Sequence, residues 1–261
     1  MRPIPILNYH QIAQAPVRGA PMRSLYVSPS AFALQMHTLS LLGYQGLSMT
    51  ALMPYLQGKK KGKVVGITFD DGYVNNLENA SEVLKKFHFS STCYVVSELL
   101  GKTNVWDHAL GIASAPLMGL KQLQQWIASG QEIGSHTQHH VDLTTTDTQT
   151  SLSEILNSRI SLSQQLNTNI QQFCYPYGRY APEHIDIVRA SGYVAATTTA
   201  RGKFHAGDSA FELRRIPVMR STALPQFLIK ILSSYEDRYR RAWQQITLHI
   251  KSVCVLLYWP V

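Results

Sequence analysis

Seven short runs rich in β-branched and aromatic residues, separated by stretches whose apolar residues recur at helical spacing, constrain this chain more than any other feature. The runs cover residues 4–9, 63–69, 91–96, 131–135, 171–175, 193–198 and 213–219. When a helix follows each strand, the helix carries the chain back across the sheet, so the strands lie parallel and are covered on their outer face. The helical patterns are explicit. Phe32, Met36, Leu39 and Leu42 form a stripe entered at Ser28 and Pro29 and closed at Gly43. Leu77, Ala80, Leu84 and Phe87 form the next, and Leu120, Leu123 and Ile127 the third. A longer pattern spans 150–166, and Pro182, Ile185 and Val188 mark another that ends at Gly192. About seven strands and about six helices over 261 residues predict an α/β fold, a (β/α) barrel rather than an open doubly wound sheet. The pattern changes after Ser221, so residues 1–221 are expected to form the barrel domain and 222–261 a helical, basic extension.

Composition narrows the class of protein. With 45% hydrophobic residues the chain can offset the entropy lost on folding, which excludes disorder. The three cysteines are widely spaced and include no CxxC, which argues against a disulfide framework or a thiolate zinc site. Lys plus Arg exceeds Asp plus Glu by 24 − 16 = 8, a charge that attracts anionic partners without naming one. No nucleic-acid-binding module accompanies it, so nucleic acid is not expected as a partner. Arg238, Arg240 and Arg241 beside Trp243 read as a solvated helix face or as a peripheral contact with an anionic membrane. No apolar stretch approaches the roughly 18 residues of a membrane span, and the run from Ile4 to Leu7 is too short for a secretory signal. The chain therefore reads as soluble and cytoplasmic, at most touching the inner face of the membrane, unless an upstream leader was removed. No obligate protein partner is expected.

Two clusters carry chemistry. In VVGITFDDGY an apolar strand ends in Asp70, Asp71 and Gly72, where barrels gather functional residues. Adjacent carboxylates repel unless a positive charge lies beside them, and a metal ion would supply it; the alternative is an ordinary Asp-Asp-Gly turn. In QEIGSHTQHHVDLT, His136 and His140 follow another strand at a spacing that lets both imidazoles converge on one ion if the segment makes a helical turn, leaving His139 pointing elsewhere. One aspartate and two histidines would leave coordination positions open, as in a catalytic metal site, and free the second aspartate to act as a base.

TFDDG at 68–72 and HTQHH at 136–140 resemble the first two signature motifs of the polysaccharide deacetylases, the NodB-homology carbohydrate esterases. PILNYHQI, FCYPYGRYAPE and LRRIPV extend the likeness up to about Met219. The resemblance implies a distorted (β/α) barrel and a metal-dependent amidase, a hydrolase of carbon–nitrogen bonds that removes acetyl from an N-acetylhexosamine in a glycan or a glycolipid precursor. It implies Asp71, His136 and His140 as metal ligands, Asp70 as general base, and the backbone N–H of Tyr177 as oxyanion donor. Zn²⁺ suits this donor set, with Co²⁺, Ni²⁺ and Fe²⁺ also compatible.

The sequence departs from the common pattern where Cys174 stands ahead of the Pro-Tyr pair in place of an arginine. Arg215 could orient the base instead if its strand lies beside that of Asp70, and together with Trp106, a candidate stacking surface for a sugar ring, it is counted on the substrate side of the site. The general acid is expected at His10, as in the circularly permuted poly-N-acetylglucosamine deacetylase subgroup, with His249 as the alternative. Two further readings remain: hydrolysis of another non-peptide carbon–nitrogen bond, or a non-catalytic carbohydrate-binding relative.

Overall fold

The structure is a computed structural model and describes residues 2–238. Its strands are β1 (Ile6–Tyr9), β2 (Gln11–Ile12), β3 (Tyr26–Val27), β4 (Gln45–Leu47), β5 (Val64–Phe69), β6 (Thr92–Val95), β7 (Glu132–Ser135), β8 (Gln172–Cys174), β9 (Ala195–Arg201) and β10 (Leu213–Pro217). Its helices are α1 (Pro29–Leu41), α2 (Met49–Leu56), α3 (Val74–Lys86), α4 (Leu120–Ala128), α5 (Thr148–Leu166), α6 (Pro182–Ala190) and α7 (Leu224–Leu232). Strands β5 to β10 pair in sequence order, and β1 closes the ring by pairing with both β10 and β5, so seven parallel strands form a barrel surrounded by helices. The seven runs expected from the sequence are these seven strands.

The alternation of side chains along each strand divides the core in two. Leu7, Val65, Ile67, Phe69, Cys93, Phe173 and Ala196 face outward into one cluster with Phe32 and Met36 of α1, Leu123 and Trp126 of α4 and Ile155 of α5. Their neighbours Ile6, Val64, Tyr94, Cys174, Ala195 and Leu213 belong to a second cluster that fills the barrel. Helix α2 contributes Met49, Leu52 and Leu56 to that inner cluster and stoppers the amino-terminal mouth. A Cβ on Gly66 would come within 2.9 Å of Leu52, so β5 and α2 meet where the side chain is smallest.

Helix α2 and strand β4 were not expected from the sequence. The helix has eight residues with Pro54 inside it, normally a reason to reject a helix, and β4 has only three residues including Gly46. Along α6 the buried positions are His184 and Val188, with Ile185 only partly covered.

Helix α7 closes the described chain against the barrel. Phe227 and Ile231 join the outer core cluster, and buried Lys230 pairs with Glu236 and donates to the Pro217 carbonyl. Arg201 forms two hydrogen bonds to Glu236, and Asp237 accepts from the Lys203 backbone. Residues 222–238, expected as part of an extension, thus pack onto the rim. Arg240, Arg241, Trp243, His249 and Cys254 lie outside the described residues. No helix among those described is long and apolar enough to cross a membrane.

This packing makes a stability prediction. Phe227→Ala should cost about 3–5 kcal/mol in chemical denaturation, the range for a fully buried core aromatic. A loss below about 1 kcal/mol would mean that α7 is an accessory to the barrel.

Candidate active site

The site is built where parallel strands end. His10 follows β1, Asp70 and Asp71 follow β5, His136 follows β7, and Tyr177 stands three residues beyond β8. The parity of β5 turns Val65, Ile67 and Phe69 outward, so Asp70 continues the inward set formed with Val64, Gly66 and Thr68. Cys174 and Arg215 share the inward parity of their own strands, and the three meet in one layer at the barrel mouth.

Arg215 grips Asp70 with two parallel bonds, Nη1 to Oδ1 at 2.6 Å and Nη2 to Oδ2 at 2.7 Å. Its remaining donors go to the Thr198 carbonyl, to Thr68 Oγ1 and to Cys174 Sγ. All five N–H groups of the guanidinium are therefore taken. Arg215 is buried with every donor engaged and borders the same cavity as Asp70, and its strand is not beside that of Asp70, as the sequence reading required, because β1 lies between β10 and β5. The side chain reaches the carboxylate through the barrel interior. Burial alone would raise the Asp70 carboxyl; the Arg215 guanidinium outweighs it and holds the group below the usual carboxylate range. Arg215 is likewise held protonated, the Asp70 charge prevailing over burial.

Asp71 turns away from this layer. Its φ of 72°, followed by 82° at Gly72, bends the chain sharply after the strand. Asp71 Oδ1 then lies 3.4 Å from His140 Nε2 and 3.6 Å from His136 Nε2. One donor atom from each of Asp71, His136 and His140 falls within 4.8 Å of the others, and all three side chains are buried. His136 Nδ1 lies 2.7 Å from the Cys174 carbonyl, which fixes that nitrogen as an N–H donor and turns Nε2 toward Asp71. Burial holds His140 below the ordinary imidazole range and so keeps it neutral. A carboxylate and two imidazoles converging in this way could hold a divalent metal ion.

The segment carrying the histidines is not the helical turn expected from their spacing. Thr137 and His140 take left-handed φ values of 65° and 60°, and the His140 N–H donates to Thr137 Oγ1 at 2.9 Å. The His140 ring is held by packing: Trp106 stacks on it at 4.3 Å, and the Tyr177 ring meets it nearly perpendicular at 4.7 Å. Trp106 thus supports a histidine while also lining the cavity, where the sequence left open a sugar platform or a hydrophobic plug under the loop.

Tyr177 has a left-handed φ of 56°. Its carbonyl accepts from Thr199 Oγ1 at 3.2 Å, and a Cβ on Gly178 would lie 1.9 Å from that same oxygen, so only glycine fits there. His10 Nε2 stands 3.8 Å from Asp70 Oδ2, and the His10 carbonyl is fixed by Asn76 Nδ2 at 2.9 Å. His10, Asp70, Asp71, Trp106, His136, His140 and Tyr177 all border one cavity of about 650 Å³.

Neither Asp107, the neighbour of Trp106, nor Glu154 was singled out from the sequence. Asp107 lines the cavity, bonded to Asn104 Nδ2, and burial pushes its carboxyl up. Glu154 sits on the buried face of α5 with Ser151, Ile155 and Ser158. The signal available was a carboxylate at the helical spacing of a core stripe, since buried glutamate is rare without a partner.

Comparison with known proteins agrees with this architecture. Residues 57–196 match the polysaccharide deacetylase family, over more than half of the chain, and the protein belongs to that family, which supports a hydrolase acting on carbon–nitrogen bonds. The matched segment contains Asp70, Asp71, His136, His140, Cys174 and Tyr177; His10 and Arg215 lie outside it. The polysaccharide deacetylase YxkH of Bacillus subtilis (strain 168) is 29% identical over 217 residues, covering 82% of this chain and 71% of its own. The deacetylase PplD of Streptococcus pyogenes, solved in complex with acetate, superposes with a TM-score of 0.77 at 28% identity, covering 88% of this chain and 98% of its own. A poly-beta-1,6-N-acetyl-D-glucosamine N-deacetylase of Staphylococcus aureus (strain MRSA252) is 24% identical over 208 residues, 71% of this chain and 68% of its own.

The Asp70–Arg215 pair can be tested by stability. Arg215→Met should cost about 3–5 kcal/mol by leaving the Asp70 charge buried and unpaired. Asp70→Asn in the same background should recover part of that loss, a coupling read from a double-mutant cycle in denaturant. Strictly additive effects would show that the pair is not the linked unit described.

Proposed function

We propose that this protein is a metal-dependent deacetylase that hydrolyses the N-acetyl group of an N-acetylhexosamine in a polysaccharide, oligosaccharide or lipid-linked glycan. The observation that carries the reading is the convergence of Asp71, His136 and His140 beside an arginine-held Asp70 in one cavity. The donor set suits Zn²⁺ without excluding Co²⁺, Ni²⁺ or Fe²⁺. A divalent ion held by these three residues would polarise the acetyl carbonyl and lower the pKa of a bound water.

The chain's own residues supply the rest. Asp70, kept ionised and oriented by Arg215, accepts the proton of the attacking water at Oδ2, the oxygen on the His10 side. His10, at the cavity edge, donates a proton to the leaving amine nitrogen. The Tyr177 backbone N–H, in the Pro176–Tyr177 peptide whose carbonyl accepts from the Arg179 N–H at 3.1 Å, is the donor for the developing oxyanion. Trp106 offers the sugar its free edge while its face stays against His140. The acetate in the PplD structure and the poly-N-acetylglucosamine specificity named for the Staphylococcus aureus relative support an N-acetyl sugar as substrate.

Acetate release from N-acetylglucosamine oligomers and from an undecaprenyl-linked sugar, with and without chelator, tests the reading. Release should stop with chelator and return with Zn²⁺. Asp70→Asn should keep the metal and lose about 10²–10⁴-fold in rate, His10→Ala should lose a similar factor, and His136→Ala should lose metal and activity together. No chelator-sensitive release from any N-acetyl sugar would favour another carbon–nitrogen bond or a binding role.

A further inference from the structure

We propose that Glu154 is the positioning residue of the metal-binding loop, a buried carboxylate around which residues 136–140 fold so that His136 and His140 face Asp71. The inference rests on the reading of those three residues as metal ligands. Glu154 is 6% exposed, and among the described residues no lysine or arginine pairs with it. Three loop donors take that place. The backbone N–H groups of Gln138 and His139 donate to Oε2 at 2.9 and 3.0 Å, and His139 Nδ1 lies 2.7 Å from Oε1. Consecutive amides converging on one oxygen form a backbone anion nest.

The nest requires the bend that the loop makes. Thr137 is β-branched and adopts φ 65°, a conformation such residues avoid, and His140 adopts φ 60°. The opposite side of the loop is fixed as well, the Thr137 and Gln138 carbonyls accepting from the Ser97 and Glu98 N–H groups at 3.1 and 3.0 Å. The anchor is rigid, because the neighbours of Glu154 on α5, Ile155 and Leu162, are fully buried in the outer core. If the loop moved away, it would leave a carboxylate buried without donors, a state that costs far more than the strain at Thr137. If Glu154 were lost, the two left-handed residues could relax and the three ligand atoms could spread apart. The geometry also gives the third histidine of the motif a place: His139 lies outside the ligand cluster, and its ring turns back onto Glu154.

The test is the Zn²⁺ affinity of the full chain, measured by competition with a chromophoric chelator, together with the thermal midpoint of the metal-free protein. Glu154→Gln should weaken Zn²⁺ about 10–100-fold, the usual effect of removing a partner that orients a metal ligand. His139→Ala should weaken it by a smaller factor. Ile155→Val, which trims the same helix without touching the loop, should lower the midpoint and bind Zn²⁺ like the wild type. Wild-type affinity in Glu154→Gln, or an equal loss in Ile155→Val, overturns the proposal. Should Glu154→Gln fail to fold, unchanged affinity in His139→Ala, whose ring is half exposed, overturns it as well. Retention of Zn²⁺ by His136→Ala would instead remove the ligand assignment, and this inference with it; loss of Zn²⁺ there with Glu154→Gln unaffected removes the inference alone.

Discussion

The site is organised by an ion pair placed where an ion pair is costly. Asp70 and Arg215 sit inside the mouth of the barrel, out of water, and the cost of burying both charges is offset only because every donor of the guanidinium has an acceptor. Satisfying that geometry ties β10 to β5 across β1 and brings the Thr198 carbonyl and the Cys174 thiol each into contact with Arg215. With Cys174 drawn into this layer, its carbonyl lies where His136 Nδ1 can meet it. The orientation of a metal-ligand candidate thus depends on a strand position chosen by the ion pair.

Two adjacent aspartates come to differ completely in their surroundings. Asp70 stays in the strand's alternation and is held by an arginine, while Asp71 leaves it through a left-handed turn and faces two imidazoles. A carboxylate gripped from behind by a fixed cation keeps its charge but cannot swing. A carboxylate facing two imidazole nitrogens is suited to a cation that the protein does not itself provide. Separating like groups by environment is how one short motif can serve two chemical roles.

Much of the fold was legible because its signals are periodic. The strands carry alternation and the outer helices carry stripes with clear caps, as at Ser28 and Pro29 for α1. What escaped was short or contradicted a local rule, as α2 did with Pro54 inside it. The site was legible as far as its motifs are contiguous: Asp70 with Asp71, and His136 with His140. The long-range links were harder. Arg215 could be suspected, but its route through the barrel depends on closure by β1, which no local pattern encodes. Its inward parity, shared with Leu213 and matched by Cys174 on β8, was available in the sequence and would have placed the three residues in one layer. Glu154 was hidden by the habit of reading a helix stripe through its apolar members alone.

The stopper formed by α2 has a consequence for traffic. Leu52 and Leu56 close the end of the barrel opposite the candidate site, and Ile6, Val64, Tyr94 and Leu213 fill the space between. The barrel axis is therefore not a conduit. Whatever small fragment is cut from a ligand at the mouth must leave on the side where the ligand arrived, past Trp106 and Tyr177. Under the proposed function, product and substrate would therefore share one opening.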